Sequence, residues 1–175
     1  MTEELENIAK REAGSLGLRW SAMIVTVGVY VFVGSLLAGA NDPVALERAV
    51  VSLGPLEAPL AFVRWFFILL AFGLLGGTVW VARNRLSDAA VMAQSRGDEP
   101  SVRLAGGFSH LKTNSLLAWG LADGVALAGT LLAMLTGRKL EILPFAIASG
   151  TALLLLKPEQ PVVMELAEKM VEERT

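Results

Sequence analysis

The chain of 175 residues contains no cysteine. Disulfides, zinc ribbons and iron–sulfur clusters are therefore excluded, and cysteine usage says nothing about redox compartment. Histidine is almost as scarce: His110 stands alone, which leaves nothing for a multi-histidine metal site. Charged residues make up only 18% of the chain, against about 25% in soluble domains. The net charge of −2 offers no basic surface, so no nucleic-acid partner is expected. The phosphate-binding, zinc-protease, nucleophile-elbow and dinucleotide motifs are missing as well. The expectation is a chain that is not an enzyme and uses no cofactor or metal.

What remains is apolar. Hydrophobic residues reach 54% and the mean hydropathy is +0.56. A chain this short has too little interior to hide so much apolar surface from water, so it asks for lipid. A hydrocarbon core roughly 30 Å thick needs about 20 apolar residues per helix. Residues 21–40 carry no charge. Residues 65–82 carry none either, and Leu60 to Val63 extend that run past Arg64. Residues 113–136 contain one charge, Asp123. Residues 140–156 form a fourth, shorter run, with Glu141 and Lys157 near its ends. Backbone groups in lipid must be satisfied within each segment, so these runs read as helices. A re-entrant fourth segment is the alternative that its length leaves open. The fold class expected is all-α: an integral membrane four-helix bundle, one domain over residues 1–175, with spans near 21–40, 60–82, 113–136 and 140–156.

Loop charges predict the orientation. With both termini and residues 83–112 on one side, that side holds eleven Lys and Arg and the other holds Arg48, Arg64, Arg138 and Lys139. The bias places both termini in the cytoplasm. Ala38-Gly39-Ala40 resembles a signal-peptidase site, yet the apolar stretch before it is too long and Glu3, Glu4 and Glu6 spoil a basic leader, so a retained span is expected. Residues 2–13 and 162–174 read as short amphipathic helices. Ser87 to Ser95 has a helix-like start, which Gly97-Asp98-Glu99-Pro100 breaks. The segment 41–59 is expected on the far side of the membrane. Each span has a pair of small residues four apart: Ser35 and Gly39, Gly73 and Gly77, Gly120 and Gly124, Ala146 and Gly150. Such pairs let helices approach closely in lipid.

The segment LAWGLADGVALAG, residues 117–129, holds the one acidic residue inside a span. Ten residues of helix put Asp123 about 15 Å beyond Thr113, near the middle of the hydrocarbon core. An ionised Asp there costs about 2.5–3.5 kcal/mol on insertion scales. Either it is protonated or it pairs with a cation. The candidate cations, Arg64, His110 and Lys112, all lie at other depths. A neutral Asp123 is therefore expected, donating to Thr130, Ser35, Ser149 or a backbone carbonyl. Its helix face continues through Ala126, Thr130, Ala133 and Gly137, a narrow stripe expected to meet protein. Gly120, Gly124 and Trp119 are the other supporting positions, Trp119 as a shield. His110 is a candidate for proton entry, and equally an interfacial anchor. Trp20, Trp65 and Trp80 read as interface anchors, and Arg64 as a side chain that snorkels.

Residues 115–135, SLLAWGLADGVALAGTLLAML, resemble the carboxylate-bearing helix of the rotary ATP synthase subunit c (proteolipid) family. Leu121-Ala122-Asp123 matches the family's core and Gly129 follows it. Arg83-Asn84-Arg85 lies where the subunit c hairpin has its loop arginine. Residues 121–158 are also similar to a group of bacterial four-span membrane proteins with an acidic third helix. The resemblance implies a homo-oligomeric membrane subunit with Asp123 as the site of a proton or cation. The chain departs from the family in having some 30 residues for a tight loop, and Phe66, Phe67, Phe72 and Trp80 where the family has a dense glycine repeat. Its first span has no counterpart in the two-helix form. The alternative is a non-catalytic anchor or accessory subunit of a larger membrane complex. Solute transport fits least, since four short spans offer little cavity. Partners are the lipid bilayer and further copies or subunits.

Overall fold

A computed structural model of the chain describes residues 2–40 and 57–172. The expected far-side segment therefore lies largely outside the described residues. The described chain is all-helical, with no strand. Six α-helices follow in order: α1 (Glu3–Ala40), α2 (Glu57–Arg85), α3 (Asp88–Gln94), α4 (Pro100–Thr136), α5 (Ile142–Leu155) and α6 (Gln160–Glu172), with a 3-10 turn at Lys139–Glu141 before α5.

Two helices are longer than the sequence pattern implies. α1 runs unbroken for 38 residues, about 57 Å, and so fuses the expected amphipathic helix 2–13 with the apolar run 21–40. Its first turn carries Glu3, Glu4 and Glu6, which suit the positive end of the helix dipole. Glu6 also pairs with Lys10 one turn on, at 2.6 Å. α4 spans 37 residues and begins at Pro100, not near Thr113. Pro is suited to a first helical position because its missing N–H has no partner there to lose. Before it, Gly97 adopts φ 144°, a backbone setting open to glycine and little else. This ends the connection that Ser87 opens: its side chain accepts from the Ala90 N–H and caps α3. α4 ends at Gly137 with φ 65°, the left-handed cap common at helix C-termini.

α4 is the central helix. It packs against α1, α2 and α5, and α2 meets α5 only slightly. α1 and α4 run the same way: Glu12 pairs with Lys112 near one end, and Gly34 lies against Thr130 near the other. A Cβ on Gly34 would sit 2.8 Å from Thr130 Cγ2 and 2.9 Å from Ile142 Cδ1, so glycine permits three helices to meet there. α2 and α5 run opposite to α4. Leu121 touches Gly77, Leu74 touches Gly124, and Phe145 fills the space beside Gly129.

The bundle has two zones. In one, the first turns of α1 and α4 join α3 and α6 in a head outside the apolar band. Ala9, Ala13 and Leu16 pack there with Val91, Leu104, Phe108 and the buried face of α6, which is Val163, Leu166, Ala167 and Met170. Burying a side chain such as Leu166 or Met170 stabilises by about 1.5–3 kcal/mol, which is why a 13-residue helix holds its place. The other zone is a band free of charge apart from Asp123. It lies between Arg64 and Arg83 on α2, between Lys112 and Arg138 on α4, and between Glu141 and Lys157 on α5. Its outer surface is apolar: Leu69 is 66% exposed and Phe72 68%. Three helices (α1, α2 and α4) are long and apolar enough to cross a membrane. A fourth crossing is counted if α5 and α6, bent by 45° at their junction, act as one broken span. The chain is a multi-pass membrane protein on these grounds.

α5 itself has 14 residues, about 21 Å, and its last carbonyls lack helical partners. Two indoles supply them. Trp20 Nε1 donates to the Leu153 carbonyl at 2.7 Å, and Trp119 Nε1 to that of Leu156 at 3.2 Å. The Lys157 ammonium lies over the Trp20 ring, 5.7 Å from its centre.

Candidate functional site: a carboxylate inside the apolar band

Asp123 sits on α4 eleven residues past Lys112 and thirteen before Thr136, about 16 and 20 Å along the axis. It is 9% exposed, and its Oδ1 is buried with no hydrogen-bond partner. The expected bonds to Thr130 and Ser149 do not form. The Thr130 hydroxyl lies 3.0 Å from the Ala126 carbonyl and 3.3 Å from that of Tyr30, and donates to these backbone acceptors instead. A threonine in a helix finds the carbonyl of its own preceding turn closer than a side chain two turns away. The Ser149 hydroxyl is fully buried and also lacks a partner.

Among the described residues no cation pairs with Asp123. Arg64 does not merely snorkel: its Nη2 lies 2.7 Å from Glu141 Oε1 and its Nε bonds the same oxygen at 3.0 Å. Lys112 is paired with Glu12. His110 Nε2 donates to the Arg85 carbonyl at 3.0 Å, which ties the end of α2 to the third turn of α4. Thirteen residues of helix, about 20 Å, separate His110 from Asp123, so no direct proton hand-over links them.

The supporting residues divide. Ala126 and Ala133 are fully buried, and with Thr130 they carry the Asp123 side of α4 onto protein. Gly120 and Gly124 do not belong to that face. Gly120 is exposed and a side chain there would meet nothing, whereas Gly124 faces Leu74 of α2. Trp119 is buried one turn before Asp123, but its N–H serves the end of α5. The paired small residues also divide. Gly39 and Gly77 are close against Lys139 and Leu121, while Gly73 and Gly150 look onto open space.

One neighbour escaped the sequence reading. Tyr30, the single tyrosine of the chain, lies on α1 and meets the Asp123 side of α4 through its carbonyl, 3.3 Å from the Thr130 hydroxyl. A phenol in an otherwise charge-free span was the available signal. Among the described residues no group of three or more His, Asp or Glu side chains gathers as a metal site. No protein family, curated protein or solved structure matches the chain.

Proposed function

We propose that this chain is an integral membrane subunit, homo-oligomeric and subunit c-like, whose Asp123 binds a proton or a cation. The observation that carries the reading is the buried Oδ1 of Asp123, mid-band and without a partner. Interhelical hydrogen bonds in lipid contribute about 0.6 kcal/mol on average. An acid that makes none gains nothing as structural glue, which leaves exchange as its use. A proton fits better than a cation, because divalent cations such as Ca²⁺ take about 6–8 oxygen ligands and among the described residues no cluster of acidic side chains gathers around Asp123. Four crossings with both termini in the cytoplasm of a bacterial cell complete the proposal. The packing of α6 against the start of α1 in one head supports termini on a common side.

The test is carbodiimide labelling in proteoliposomes with a parallel proton-flux assay. Asp123 should be modified in its neutral form, less so as pH rises, and Asp123→Asn should abolish both labelling and flux. Equal flux from Asp123→Asn, or no labelling of the wild type, overturns the ion site. The anchor or accessory reading would then stand, supported by the helical head as a platform for other subunits.

A further inference from the structure

α2 and α5 both pack on α4 and barely touch each other. An elongated cavity of about 460 Å³ lies between them. Its walls are apolar, with Ile68, Phe72 and Leu75 from α2 on one side, Phe145 and Ala148 from α5 on the other, and Leu132 of α4 between them. Charge enters only at one end, where Arg64 meets Glu141. We propose that this groove binds one phospholipid, its acyl chain along the apolar walls and its phosphate on the Arg64 guanidinium.

Two measures select that occupant. Arg64 to Leu75 is eleven residues of helix, about 16 Å, close to half of a hydrocarbon core of roughly 30 Å. The groove is thus one leaflet deep, with its charged end at the rim of the band. The charge is also right. Arg64 remains 35% exposed and spends two of its N–H groups on one oxygen of Glu141, whose other oxygen accepts from Thr136 at 3.0 Å. A guanidinium fixed in this way keeps donors for a phosphate. Asp123 does not line the groove, so the site stands or falls apart from the ion-binding proposal.

The experiment is native mass spectrometry of the full chain in mild detergent, delipidated and then titrated with phosphatidylglycerol, with diacylglycerol and inorganic phosphate as separate probes. The wild type should retain one phosphatidylglycerol per chain, hold diacylglycerol more weakly and ignore inorganic phosphate. Ala148→Phe and Ile68→Trp fill the groove from opposite walls, and at least one should cut retention about tenfold while keeping the helical content. Arg64→Gln should erase the preference for phosphatidylglycerol over diacylglycerol, a loss of about tenfold for one charge-assisted contact. Equal retention by wild type and both filling variants overturns the site. So does a wild-type dimer that Ala148→Phe splits, since the groove would then be an interface between copies.

Discussion

Two acidic side chains, Glu141 and Asp123, show how depth changes the fate of a carboxylate. Glu141 lies at the rim of the band. It holds Arg64 through one oxygen and accepts from Thr136 through the other. Asp123 lies mid-band with Oδ1 buried and bonded to nothing. At the rim, long cationic side chains from neighbouring helices can reach over and stay partly hydrated, so pairing is cheap. Mid-band no such side chain arrives without taking its own charge out of water. A rim carboxylate therefore becomes structure, and the mid-band one stays unpaired.

The strongest way to break this contrast is to make the rim resemble the middle. Arg64→Ala strands Glu141, and SDS-titration unfolding in mixed micelles should register a loss of about 1–3 kcal/mol. That is below the 3–5 kcal/mol of a fully buried pair because both partners keep some solvent. The converse change comes next. Asp123→Leu removes a desolvated polar group that makes no compensating bond, and should stabilise the fold by about 1–2 kcal/mol in the same assay while ending any proton binding. If it destabilises instead, Asp123 is a structural contact and the contrast fails. The smallest effect lies in the head. Glu165 first, and Asp88 next, hold the Lys169 amine above its ordinary pKa of 10.5. A base whose folded pKa is raised stabilises fully below its unfolded value and loses that contribution as pH rises through the folded one. The Lys169–Asp88 tie between α6 and α3, followed by hydrogen exchange in α6, should hold steady to about pH 10.5 and loosen only above it, and Lys169→Ala should remove the alkaline step.

Much of this was legible in the residues. The Ser87 cap and the break at Gly97 to Pro100 follow from local backbone chemistry, and α3 lies where they place it. The charge-free runs mark the band because a charge in hydrocarbon is costly whatever the fold. The lengths of α1 and α4 were not legible, because periodicity reports only where apolar residues fall. Polar turns such as Glu12 and Lys112 continue as helix because they pack against each other in the head. The Arg64–Glu141 pair joins residues 77 apart, and nothing local to either residue announces the other.

The amino-acid sequence by itself determined that helices would form, that most would sit in lipid, and that one carboxylate would be carried deep into the band. Propensity, capping and the expense of unsatisfied backbone in hydrocarbon act over a few residues and need no knowledge of neighbours. Only the tertiary structure decided which carboxylate finds a cation and which stays alone. It also decided which glycines admit a helix and where α2 and α5 leave a groove between them. Those outcomes depend on distances between helices far apart in the chain, and side-chain reach is a property of the packed bundle.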